Sequence, residues 1–106
     1  MVRVVWQEGA LEDLKSINDY YCLNASQKVA KELVTDILKT AKSIKRFPNS
    51  CAIEPLFDGI TPTFRYALVR RTWKVIYFVE DNCCHVAVIW DTRNNPEILR
   101  SRIMLV

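Results

Sequence analysis

The sequence predicts an α+β domain of order β-α-α-β-β-β, with two helices packed on one face of a twisted antiparallel sheet and a short C-terminal tail or helix. Three observations carry that reading. Two consecutive stretches repeat apolar residues at three- and four-residue spacing, three later runs are β-branched and aromatic with hairpin-length gaps between them, and a Phe47-Pro48 break separates the two halves. With 106 residues, half of them apolar, the chain fits one domain over residues 1–106, with no linker, repeat or low-complexity tract.

The opening strand spans residues 2–6, an apolar run closed by Gln7 and Glu8 before Gly9. Over residues 10–21, Leu11, Leu14, Ile17 and Tyr21 share one side of a helix while Glu12, Asp13, Lys15 and Asn18 take the other. Asn24 and Ser26 are candidate caps for a second helix that runs to about Arg46. It stops at Phe47-Pro48, because proline disfavours helical backbone in the residue before it. Ala30, Leu33, Val34, Ile37, Leu38, Ala41 and Ile44 gather on one side of this helix; Lys28, Lys31, Lys39, Lys42 and Arg46 gather nearly opposite. Residues 49–62, with Pro55, Asp58-Gly59 and Pro62, read as a long loop.

Strands follow over residues 64–69, 73–80 and 84–91, separated by Arg70-Arg71-Thr72 and Asp81-Asn82-Cys83. Such short gaps make hairpins and hence a meander. Asn94-Asn95-Pro96 is a turn whose proline opens a short helix over residues 97–104.

The same composition excludes several classes of function. No apolar run reaches the roughly 20 residues that cross a bilayer, and residues 1–6 do not read as a secretory signal, so the expected address is the cytoplasm. Cys22, Cys51, Cys83 and Cys84 have no C-x-x-C spacing and read as reduced, buried thiols. The single histidine, His85, is adjacent to Cys84 in a strand, where neighbours point to opposite faces; neither a metal site nor a Cys–His nucleophile is expected. With only Gly9 and Gly59 there is no glycine-rich phosphate loop, and no cofactor is expected.

Two features point toward macromolecular partners. Val75, Tyr77 and Val79 point to one side of their strand and Ile76 and Phe78 to the other, so both sheet faces are apolar. The second face needs a cover: the tail, a second copy or a partner helix. Arg65, Lys74 and Arg93 lie near strand ends, where hairpin pairing could gather them into a patch that binds a phosphodiester; solvated strand ends are the plainer alternative. The cationic side of the second helix admits both a nucleic-acid reading and that of an ordinary wet surface.

Val4-Val5-Trp6 through Ala10-x-x-Asp13-Leu14, Phe47-Pro48, the Arg65 strand, Trp73-Lys74-Val75-Ile76-Tyr77 and Ile89-x-Asp91-x-Arg93-x-Asn95-Pro96 together resemble the RelE/ParE toxin superfamily, toxins of the plasmid-stabilisation type. The similarity spans nearly the whole chain. It implies a growth-inhibiting toxin of a type II toxin–antitoxin system, neutralised by a cognate antitoxin that wraps it in a hetero-oligomer, with Ile76, Phe78 and Ile89 as docking positions. The target it implies is DNA gyrase for ParE-like members. For RelE-like members it is the ribosome, where they act as ribosome-dependent endoribonucleases that cut messenger RNA.

The nuclease pattern places Arg65, Lys74 and Arg93 at its basic positions. Ala67 stands where a second lysine is common, and Leu99 near a C-terminal tyrosine that would stack on a base. Tyr66 and Tyr77 are substitutes for proton transfer or stacking, against a core role for either. An inactive relative that retains only antitoxin binding is the third reading.

Overall fold

The computed structural model describes residues 2–104. Strand β1 (Arg3–Trp6) leads into helix α1 (Glu8–Asn24), and a tight turn joins it to α2 (Gln27–Ile44). Ser26 caps α2 by accepting a 3.1 Å bond from the Val29 N–H; a serine in this place satisfies one of the donors that a helix start leaves free. Asn24 instead closes α1, its Nδ2 donating to the Tyr20 carbonyl at 2.8 Å.

The 49–62 segment is more ordered than a loop. It forms a two-residue strand β2 (Ala52–Ile53) and a single 3₁₀ turn (Pro55–Phe57). Strands β3 (Phe64–Val69), β4 (Trp73–Glu80) and β5 (Cys83–Asp91) follow as the expected meander, and α3 (Pro96–Met104) closes the fold. The β3–β4 turn is three residues, Arg70-Arg71-Thr72, and the β4–β5 turn two, Asp81-Asn82, with Arg70, Arg71, Asp81 and Asn82 all at φ between 54° and 61°. That left-handed pair matches the twist of a hairpin, and Asp and Asn accept it more readily than other side chains.

The sheet order is β1-β5-β4-β3-β2, and here the antiparallel expectation needs correction. β1 lies parallel to β5, pairing Arg3 with Cys83 through Trp6 with Val86, so the sheet is mixed. The helical hairpin carries the chain back to the side from which β1 left, and β1 then docks on the last strand of the meander at the sheet edge.

One core fills the space between the helical hairpin and the sheet, built on Ile17, Leu33, Ile37, Val75, Tyr77 and Val86. The second lies on the other face, where Ile76, Val88 and Trp90 meet Phe57 of the 3₁₀ turn and Leu99 and Ile103 of α3. Strand alternation thus produces two apolar faces, and the chain's own tail covers the second one. Ala87 is the extra residue of a bulge in β5, since Ile76 pairs with Val88 while Tyr77 pairs with Val86. Among the described residues, no helix is long and apolar enough to cross a membrane.

Candidate functional site

The three cations expected to converge are held apart by the strand register. Arg65 pairs with Tyr77 and lies on the helix side of the sheet; Lys74 pairs with Leu68 and lies on the α3 side. In the β3–β4 register these are positions of opposite parity, and parity decides the face. Each also has its own local partner. Arg65 Nη1 donates to the Cys51 carbonyl at 2.7 Å, and Tyr77 Oη donates to the Pro48 carbonyl. Together they pin the chain leaving α2 onto the sheet.

Lys74 Nζ sits 2.6 Å from Glu54 Oε1 and 4.1 Å from the centre of the Tyr66 ring. Glu54 is only 1% exposed, so this ammonium is what compensates a buried carboxylate, whose other oxygen accepts from the Leu56 N–H. Arg93 lies beyond β5 and is the most exposed of the three. Its guanidinium grips Asp91 through Nε at 3.0 Å and Nη2 at 2.8 Å. The hydrogen bonds from Arg93 hold the Asp91 carboxyl below its usual range, against the opposing effect of burial.

Arg93 does open onto a cleft, of about 690 Å³, between the C-terminal half of α1 and the ends of β4 and β5. Tyr20, Tyr21, Trp73, Trp90 and Arg102 contribute to its walls, and Tyr20 and Tyr21 meet edge-on at 5.1 Å. At its floor lies a junction that sequence reasoning missed. Asp13 Oδ2 accepts the Ile89 N–H at 3.0 Å, a donor left free because β1 ends its pairing at Val86. The same carboxylate receives Arg102 Nη1 at 2.9 Å and Nη2 at 3.0 Å. One side chain therefore ties α1, β5 and α3 together. The signal for it was Asp13 in Ala10-x-x-Asp13-Leu14, read only as part of a pattern.

The expected docking positions separate in the same way. Ile76 is fully buried under α3 and the 3₁₀ turn, and Ile89 is buried on the helix side. Phe78 is half-buried. It lies edge-on to Phe64 at 5.3 Å, stacks on His85 at 4.8 Å, and borders a shallow groove of about 480 Å³ between α1 and α3. His85 Nε2 lies 3.1 Å from the Glu80 carbonyl. Leu99 is fully buried, so that position is occupied by a core side chain rather than one free to stack on a base. Tyr77 too is buried, and burial, with the neighbouring Cys51 thiol adding to it, pushes its phenol far above the usual range, away from proton transfer at neutral pH.

This chain is a two-helix hairpin on a meander sheet with the first strand parallel to the last, and it belongs to the RelE/ParE superfamily. Within it, the family described as "ParE toxin of type II toxin-antitoxin system, parDE" matches residues 4–96, and the chain belongs to that family. A solved structure described as "Chromosomal ParDE TA system from P. aeruginosa" is similar with a TM-score of 0.73, covering 86% of this chain and 96% of that one at 23% identity. That likeness concerns the fold. No curated relative matches the chain significantly.

Proposed function

We propose that this toxin is neutralised by a cognate antitoxin and that it stops growth by acting on DNA gyrase rather than by cutting message on the ribosome. The observation that carries the choice is the dispersal of Arg65, Lys74 and Arg93 over two sheet faces and a strand end, each held by a local partner. A nuclease that stabilises charge developing on a phosphodiester needs its cations aimed at one point. Membership in the ParE family favours the same target.

The antitoxin is assigned to the groove beside Phe78, where apolar Phe64, Ala87, Val88 and Ile103 meet Glu8, Glu12 and Arg102. Apolar walls with charges of both signs at the rim suit an amphipathic segment. In that reading the toxin alone is poorly soluble and the co-produced pair is stable.

Two parallel incubations test the target. Purified chain added to gyrase and relaxed plasmid is expected to block supercoiling and leave cleaved DNA. Added to programmed ribosomes, it is expected to leave the message intact. Cut message that becomes whole when Arg93→Ala replaces the native chain would overturn the proposal in favour of the nuclease.

A further inference from the structure

The charge of this protein is concentrated on α2 and the two residues that follow it. Residues 27–46 hold six cations and two carboxylates, a net of +4, whereas the whole chain carries +3; the remainder is therefore −1. Lys28, Lys31, Lys39 and Lys42 fall within an arc of about 80° on α2, at roughly 100° per residue. All four are exposed. One of the two carboxylates, Asp36, is taken by Arg70 at 2.7 Å, and among the described residues none of the α2 cations is in an ion pair.

The stripe does not end at the helix. A shallow cleft of about 450 Å³ between β1 and α2 is lined by Arg3, Lys42 and Lys45, which extends the positive surface across the sheet edge. An isolated surface helix gains from interspersed charges of both signs, so a single-sign stripe is a cost to the fold unless an anion meets it.

We infer that the α2 face, continued by Arg3 and Lys45, binds the phosphate backbone of duplex DNA without reading its sequence. Lys28 to Lys42 spans about 21 Å at ~1.5 Å per residue, which matches roughly six phosphates of one strand at ~3.4 Å each. α2 carries no aromatic side chain, so unpaired bases have nothing to stack on, and backbone contact is the chemistry on offer. The preference for DNA over RNA rests on the gyrase reading, because gyrase holds duplex DNA. The face shares no lining residue with the groove beside Phe78.

Fluorescence anisotropy with a labelled random-sequence 20-base-pair DNA, full-length protein and no gyrase tests this independently of the target. Contact with about six phosphates gives a log–log salt slope near −5.4, which is an affinity loss of roughly 2,000-fold between 50 and 200 mM salt. The triple variant Lys31→Gln, Lys39→Gln, Lys42→Gln is expected to flatten the slope by about 2.7. Arg100→Gln, on α3, is expected to leave it unchanged, and circular dichroism checks that each variant is folded. An unchanged slope in the folded triple variant, tighter binding of duplex RNA, or equal affinity for a poly-glutamate peptide each overturns the inference. Failure of the supercoiling assay with this DNA binding intact would remove the gyrase reading alone.

Discussion

Replacing Asp13 with alanine removes two interactions of different kinds. The first is the bond to the Ile89 N–H, which has no strand partner once β1 has ended; leaving such a donor unmet costs about 1–3 kcal/mol. The second is the forked pair with Arg102, whose side chain is 33% exposed against 18% for Asp13. Solvent screening holds that pair to about 0.5–1 kcal/mol. The sum, roughly 1.5–4 kcal/mol, lowers the melting temperature of a domain this size by about 6–16 °C.

Arg102→Ala loses only the second part, or about 2–4 °C, and the double variant should resemble Asp13→Ala because the pair is then already gone. Thermal melts followed by circular dichroism read all three. An Asp13→Ala melt within about 2 °C of wild type, or an Arg102→Ala loss as large as that of Asp13→Ala, would refute the assignment of Asp13 as the junction of α1, β5 and α3.

Other outcomes follow from the same contacts. Leu99→Ala should cost about 2–4 kcal/mol in urea melts and raise binding of an apolar dye, since the sheet face under α3 becomes accessible. Lys74→Ala strands the Glu54 carboxylate and should cost about 3 kcal/mol, with Lys74→Met plus Glu54→Leu recovering most of it; a neutral single variant would reopen a functional role for Lys74. Thiol reagents on the native protein should modify Cys22 and Cys51 well before the buried Cys83 and Cys84.

Stability should also fall at both ends of the pH range. Asp91, whose pKa is depressed in the fold, contributes stability that is full above the unfolded value of about 3.9 and is lost as pH falls through its folded pKa. The Cys84 thiol is raised by burial. Its contribution is therefore intact below the unfolded value of about 8.5 and declines as pH rises toward the folded pKa. Urea midpoints that are flat from pH 7 to 10 would contradict the second statement.

Much of the fold was legible because its signals are local. The amphipathic spacing of Leu33, Ile37, Ala41 and Ile44, the Ser26 cap, the Phe47-Pro48 stop and the hairpin-length gaps each act over a few residues. The parallel pairing of β1 with β5 was not legible, because it joins residues eighty positions apart and leaves no trace in local pattern. The two-faced sheet was read correctly from Val75, Tyr77, Ile76 and Phe78; the choice among tail, second copy and partner as its cover was not. Leu99 and Ile103 fill that face from α3.

The separation of the three cations was not legible for a similar reason. Arg65 and Lys74 look equivalent as basic residues near strand starts, but only the register of β3 on β4 reveals that they face opposite ways. Asp13 lay in plain view on the polar side of its helix. Its partners, Ile89 and Arg102, come from elements 76 and 89 residues later.

The most direct test of the functional account is to induce this chain in cells without an antitoxin while a DNA-damage reporter and the integrity of messenger RNA are followed together. Growth arrest with the reporter switched on and messages intact is the predicted result. Arrest with cleaved messages and a silent reporter, or growth that continues unaffected, contradicts it.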